Sequence, residues 1–241
     1  MILSCISNIK EECTAIIKPN TLTQGNSLRL LPQLADASID LILTDPPYGI
    51  QYRSRRGEAI AGDKRPFIWW LYDAYRVLKG TGCLLCFTRW DVLDAWKTAI
   101  QYAGFTVRSC IVWDKALHGM GNTKAAFAPR HEMILLADKG GFCFPGKRPV
   151  DLIQEKKVPS AHMIHPTEKP SALLMQLIEA VTRPGDLVLD PFAGSGSTLE
   201  ACIRTGRAYI GMELMKEYIN RARIRIRRVK EEVHGSENGG V

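Results

Sequence analysis

No apolar run among the 241 residues approaches the length of a bilayer-spanning helix, so nothing points to a membrane protein. The opening residues, MILSCISNIKEEC, lack a basic leading region and a sustained apolar stretch, so no secretory signal is read. Cysteines number seven, an odd and scattered set without an export signal, which suits reduced thiols in a cytosol-like compartment. The C-x-x-C of Cys83 and Cys86 has no second pair after it. It lies in an apolar strand, where positions three apart face opposite sides. Metal or redox use is therefore not expected there. His131 and Glu132 are adjacent, but no H-E-x-x-H follows, and His118 and His162 are single loop histidines. No internal repeat is visible.

What is present is ordinary in bulk: 46% hydrophobic and 24% charged residues, enough chain for one α/β domain with a full core and hardly enough for two. The formal charge of +7 favours polyanionic partners modestly. It is concentrated at Arg53, Arg55 and Arg56, and in residues 221–230, RARIRIRRVK, with a lighter group at Lys139, Lys147, Arg148, Lys156 and Lys157. In the second cluster Ile219, Ala222, Ile226 and Val229 make an apolar stripe, so its arginines are expected to face water.

Strand and helix signals alternate along most of the chain. Residues 21–26 read as a short strand and turn, and 27–34 as a short helix with Ser27 as N-cap. Residues 39–45 are a buried strand, and 48–65 a polar, glycine-containing loop. Residues 67–80 are a helix closing on Gly80, 83–88 a strand, and 90–104 a helix stopping at Gly104. Residues 106–115 and 131–140 look like paired strands. The 25 residues 140–164 show no clear period. A helix follows over 171–185, broken by Pro184. A strand at 186–190, a helix at 197–206, a strand at 208–213 and a long basic helix at 215–233 complete the chain. This alternation predicts a doubly wound, mainly parallel sheet. Trp69, Trp70 and Trp113 are expected in the core or an interface.

Two strand ends carry chemistry. The first is LILTDPPYGI, residues 41–50. Carboxyl ends of parallel strands point into the ligand crevice. Pro46 and Pro47 hold the chain stiffly extended and leave their carbonyls free to accept. Asp45 and the Pro46 carbonyl thus offer two acceptors beside the aromatic face of Tyr48. Two acceptors suit an exocyclic amino group, and the ring suits a stacked base. A rigid turn with a solvated acid remains the plain alternative. The second is DLVLDPFAGSGSTLEAC, residues 186–202, where a strand ends at Asp190 and turns through Gly194 and Gly196 into a helix. Leu199 stands where a dinucleotide fingerprint needs a third glycine, and no G-K-[ST] follows. Glu213, 23 positions after Asp190, ends the next strand, where an acid can bind ribose hydroxyls. This half reads as a nucleoside crevice without a strong phosphate preference. A tight turn and a solvated strand end are the plain alternatives.

Taken together, DPPY, then DPFAGSGST and GME resemble the DNA amino-methyltransferases, which modify adenine N6 or cytosine N4. QGNSLRLL and SIDLILTDPPY are similar to the segment leading into DPPY in that family. IVWDK (111–115) and RHEMILLADKG (130–140) look like its paired late strands, and HPTEKPSALL (165–174) resembles its HPTxKP segment. The target-base motif precedes the cofactor loop, as in the circularly permuted beta class, and the likeness runs from about residue 21 to 228.

The resemblance implies a Rossmann-like sheet of about seven strands, one antiparallel. It implies S-adenosylmethionine as cofactor and double-stranded DNA as substrate, the target base being flipped out of the duplex. Asp45, Pro46, Pro47 and Tyr48 would hold that base. Asn26, Asp45, His165, Thr167, Lys169, Asp190, Phe192, Ala193, Gly194, Ser195, Gly196 and Thr198 would line the cofactor site, with Glu213 on the ribose. Lys169 and Thr167 would sit near the cofactor carboxylate. Arg53, Arg55 and Arg56 would contact DNA phosphates. The organisation expected is an extension over 1–20, one methyltransferase domain over 21–232 with a small target-recognition segment near 140–164, and a flexible tail over 233–241. A homodimer, a companion restriction enzyme, a cytoplasmic setting and a bacterial or bacteriophage source are further implications. DPPY with Asp first is closer to the adenine enzymes, and cytosine N4 is the alternative. A dinucleotide-dependent oxidoreductase and a non-catalytic DNA-binding protein are the rivals from other classes.

Overall fold

Residues 39–44 are buried at every position but Asp40, and four of the six are Ile or Leu, as a strand covered on both faces requires. In the computed structural model, which describes residues 17–49, 66–119, 124–159 and 168–238, they form β2 of an eight-stranded sheet. The strands are β1 (Thr21–Gln24), β2 (Ile39–Thr44), β3 (Leu78–Thr88), β4 (Thr106–Asp114), β5 (His131–Asp138), β6 (Leu152–Gln154), β7 (Leu187–Asp190) and β8 (Ala208–Glu213). Their spatial order is β1-β8-β7-β2-β3-β5-β4-β6. Every pairing is parallel except the two made by β5, so one strand runs against the rest, as expected. The eighth strand, β6, lies in the segment read as aperiodic. It is three residues long, too short to show a period, and Trp113 Nε1 secures its far end by donating to the Glu155 carbonyl at 2.8 Å.

The helices are α1 (Ser27–Leu30), α2 (Leu71–Val77), α3 (Leu93–Tyr102), α4 (Ser171–Val181), α5 (Ser197–Arg204) and α6 (Lys216–Asn238). Leu31, Trp70, Leu71, Ala74, Val77, Trp96 and Ile100 pack with Ile42, Leu84, Cys86 and Leu189 on one face. Leu173, Leu174, Leu177, Leu199, Cys202 and Ile226 pack with Leu41, Leu43, Cys83, Leu85 and Val188 on the other. The sheet is therefore wound on both sides, and Cys83 and Cys86 do lie on opposite faces. Among the described residues no helix is long and apolar enough to cross a membrane.

Several local expectations need correction. Asn26, not Ser27, caps α1: its side-chain oxygen accepts the Leu28 amide at 2.9 Å, while Ser27 is already helical. The helix expected to close on Gly80 ends at Val77, because the backbone turns extended at Leu78 and Gly80 lies inside β3. The last helix continues to Asn238, beyond the 233 boundary expected for a tail. Trp70 and Trp113 are core residues, whereas Trp69 is exposed.

Candidate active site

The connections set where a ligand fits. From β7 the chain proceeds outward to β8, and from β2 it proceeds the other way to β3. The crevice opens where these directions diverge, beyond the carboxyl ends of β7 and β2. Asp190 is the last residue of β7, Asp45 follows the last residue of β2, and Glu213 ends β8. A hydrogen bond from Thr44 Oγ1 to Asp190 Oδ1, 2.9 Å and buried, joins the two strand ends.

Asp45 is the centre of a charge chain. Its Oδ1 accepts the Tyr48 hydroxyl and its Oδ2 accepts the Lys169 ammonium at 2.6 Å. Lys169 Nζ also lies 3.2 Å from Glu132 Oε2, and Lys115 donates to Glu132 Oε1 at 2.5 Å. Because β5 runs against its neighbours, its first residues reach the edge where β3 and β4 end, and Glu132 sits opposite Trp113. Lys169 Nζ stands 5.0 Å from the Phe87 ring centroid and 6.0 Å from that of Tyr48, both within cation–π range. Burial pushes the Asp45 carboxyl above its ordinary value, with the Lys169 charge opposing the shift. Burial also raises the Tyr48 hydroxyl well above its usual range, and the Asp45 charge adds to it. Burial works against the Lys169 ammonium, but the facing carboxylates of Asp45 and Glu132 hold it charged, above its ordinary value. The net result is an acceptor, a phenol and an ammonium fixed in one place.

The glycine loop forms the other half. Gly194 and Gly196 both take positive φ, +50° and +82°, which L side chains rarely adopt. A Cβ on Gly196 would also come within 3.0 Å of the Ala222 Cβ on α6. The Gly194 amide donates to Glu213 Oε2 at 2.9 Å and the Met215 amide to Oε1 at 2.7 Å. Glu213 is thus held against the loop rather than left as a solvated strand end. The Ala193 amide donates to the Met212 carbonyl, and Phe192 packs edge-on against Phe67 and Trp70. Asp190 is 3% exposed and accepts from Thr44, from Thr198 and from the Phe192 amide. No lysine or arginine pairs with it among the described residues, and burial pushes its pKa up to about 6.

The structure therefore brings Asp45, Pro46, Pro47, Tyr48 and Lys169 to one strand end and Asp190, Phe192, Ala193, Gly194, Ser195, Gly196, Thr198 and Glu213 to the adjoining ones. Asn26 opens α1 directly after Gly25, whose amide bonds to the Glu213 carbonyl. Arg53, Arg55, Arg56, His165 and Thr167 lie outside the described residues, as does His162. Lys169, expected beside a cofactor carboxylate, is engaged with Asp45 and Glu132.

Sequence reasoning passed over Glu132, Lys115, Thr44 and Arg225. In the sequence Glu132 reads only as the second residue of an incomplete H-E-x-x-H. Its place on the one reversed strand is what brings it to the site, and that reversal was legible in the paired late strands.

These groups fit S-adenosylmethionine. A cationic methionine end suits the carboxylate of Asp190, which no lysine or arginine pairs among the described residues, and an adenosine suits the Glu213 carboxylate, while Arg225, the cation beside the glycine turn, is already engaged by Ser195, Ser197 and Glu168. Residues 39–223 match the family model described as DNA methylase, which comprises N6 and N4 methyltransferases, and the chain belongs to that family. Its members are S-adenosylmethionine-dependent. Among relatives, YubD of Escherichia coli (strain K12) is 41% identical over 200 residues, covering 81% of this chain and 85% of that one. The DNA adenine methyltransferase YhdJ of the same strain is 31% identical over 237 residues, covering 83% and 80%. Among solved structures, the M1.HpyAVI–S-adenosylmethionine complex superposes with a TM-score of 0.67 at 25% identity over 85% of this chain and 98% of its own. The cytosine-N4-specific PvuII DNA methyltransferase gives 0.70 at 19% identity over 89% and 91%, a likeness of fold.

Proposed function

We propose that the protein transfers a methyl group from S-adenosylmethionine to the N6 amino group of adenine in double-stranded DNA. The observation that carries this reading is Asp45, an anionic acceptor rigidly placed by Pro46 and Pro47 and held by Lys169 and Tyr48 at the crevice mouth. A carboxylate at the head of DPPY and the adenine specificity named for YhdJ favour adenine over cytosine.

The cofactor supplies, when bound, a methyl group already activated by its sulfonium. The chain's own residues do the rest. Asp190 takes the cationic methionine end and Glu213 the ribose hydroxyls, while Phe192, Ala193, Gly194, Ser195, Gly196 and Thr198 shape the wall between them. His165, Thr167 and Asn26 belong to the same site in this reading. A flipped base enters above β2, at an unstacking cost of a few kcal/mol. Asp45 and the Pro46 carbonyl accept its two amino hydrogens, which localises the nitrogen lone pair. The hydroxyl bond from Tyr48 to Asp45 fixes the ring on which the base stacks. With the cofactor bound, transfer of its methyl group to the amino nitrogen would leave one proton on that nitrogen acidic. Asp45 is the base within reach, and its burial-raised pKa suits it to accept that proton. Most of the acceleration is positioning. Arg53, Arg55 and Arg56 would engage phosphates, and 140–164 would contribute to target choice.

The test is labelled methyl transfer to unmethylated DNA, followed by digestion and mass identification of the nucleoside. N6-methyladenine supports the reading, and N4-methylcytosine keeps the chemistry and corrects the base. Asp45→Asn should lower kcat at least about a hundredfold with DNA affinity kept.

A further inference from the structure

Arg225 does not behave as one of the solvated arginines of the basic cluster. Its side chain is 7% exposed and turns inward between Ala222 and Val229, inside the apolar stripe of α6. There it meets three separate segments. Nη1 donates to Ser195 Oγ at 3.2 Å in the glycine loop and to Ser197 Oγ at 2.6 Å where that loop enters α5. Nη2 donates to Glu168, whose side chain is 6% exposed and which directly precedes Lys169. Nε stands 3.4 Å from Glu200 Oε2 on α5, whose other oxygen is taken by Arg204 at 2.9 Å.

A buried ion pair alone is weak ground for a role in stability, since apolar side chains of similar volume often serve as well. What distinguishes this one is what it holds. The two serines flank Gly196, in a loop that glycine leaves conformationally free. Glu168 anchors the segment from which Lys169 reaches Asp45. The planar fork reaches both hydroxyls from one nitrogen and the carboxylate from the other, a span that a single ammonium nitrogen does not have.

We propose that Arg225 is a positioning residue that holds the cofactor loop and the Glu168–Lys169 segment in one frame, so that cofactor capture and the setting of Asp45 are coupled. This rests on the proposed function for the identity of the two loops. Fixing the loop beforehand removes an ordering cost from binding, so loss of the fork reads as lost affinity.

The experiment compares the full-length protein with Arg225→Lys, Glu168→Gln and Ser197→Ala, measuring S-adenosylmethionine affinity by calorimetry, DNA KM at saturating cofactor, kcat and thermal midpoint. Arg225→Lys keeps a charge near both acids but cannot fork. It should weaken cofactor binding about tenfold with DNA KM within about twofold. Glu168→Gln leaves Arg225 on the serines, so cofactor affinity should hold within about threefold while kcat falls. Ser197→Ala removes only the 2.6 Å contact and should weaken cofactor binding with only a small fall in the thermal midpoint. It keeps the question answerable if Arg225→Lys fails to fold. Wild-type cofactor affinity in Ser197→Ala or in folded Arg225→Lys overturns the inference. So does a DNA KM that rises as much as the cofactor constant, which would make Arg225 a DNA contact. A wild-type protein that binds the cofactor and methylates no DNA would refute the proposed function and leave the clamp standing.

Discussion

Asp190→Asn should move stability and cofactor binding in opposite directions. Asp190 is buried at the end of β7 with no lysine or arginine paired to it among the described residues, and its pKa stands at about 6 against an ordinary 3.8. A carboxyl whose folded pKa is raised is most favourable to the fold when protonated. Its contribution is fully present below about pH 4 and is lost as pH rises through about 6. That gap corresponds to about 3 kcal/mol by which the free protein is less stable at neutral pH than with an unshifted acid. An amide of the same shape still accepts from Thr44 and the Phe192 amide and carries no charge to desolvate. The cofactor-free variant should therefore be more stable at about pH 8, by up to roughly 3 kcal/mol less the weakening of those hydrogen bonds. The same carboxylate must be ionised to receive a cationic methionine end. Wild-type affinity should then fall about tenfold between about pH 7 and pH 5, where only about a tenth of Asp190 is ionised. The variant should bind weakly throughout, without that slope. Urea denaturation at two pH values and calorimetric titration from about pH 5 to pH 8 measure both effects. A variant destabilised at about pH 8, or a flat wild-type affinity profile, would show that Asp190 is not the unpaired acid of the cofactor site.

Gly196→Ala places a Cβ within 3.0 Å of Ala222 at a φ of +82°, so it should cost about 1–3 kcal/mol in denaturant unfolding and weaken cofactor binding. Lys169→Met removes the cation between Asp45 and Glu132, so the Asp45 carboxyl rises further and the acidic limb of the kcat profile moves to higher pH. Lys169→Arg should restore most of the profile, and an unmoved limb in the methionine variant would sever Lys169 from the ionisation of Asp45. Native-state alkylation followed by peptide mapping should label exposed Cys143. Cys83, Cys86 and Cys202, whose buried thiols are pushed up by desolvation, should stay unlabelled until the protein unfolds.

What could be read in the chain, and what could not, follows from where each signal resides. Asp45, Asp190 and Glu213 were legible because each ends an apolar strand, and a parallel sheet brings such ends to one edge whatever the loops do. Cys83 and Cys86 were legible because strand period alone separates them. Three-residue β6 and the early end of α2 were not, because short elements are fixed by neighbours rather than by their own pattern. Glu132 and Arg225 form an intermediate case. By residue type alone, Glu132 reads as part of an incomplete zinc motif and Arg225 as one of the arginines facing water. Each is placed by period and direction: Glu132 by the reversal of β5, and Arg225 by standing three residues from Ala222 and four from Val229 within an apolar stripe. A charged residue that keeps the phase of a buried stripe has to find its partners inside the protein, since the helix that carries it cannot turn that face to water without exposing Ile219, Ala222 and Val229 as well. The phase of a charge along its element, more than its density in the sequence, separates the arginines expected to meet phosphate from the one that braces the loops around the reaction.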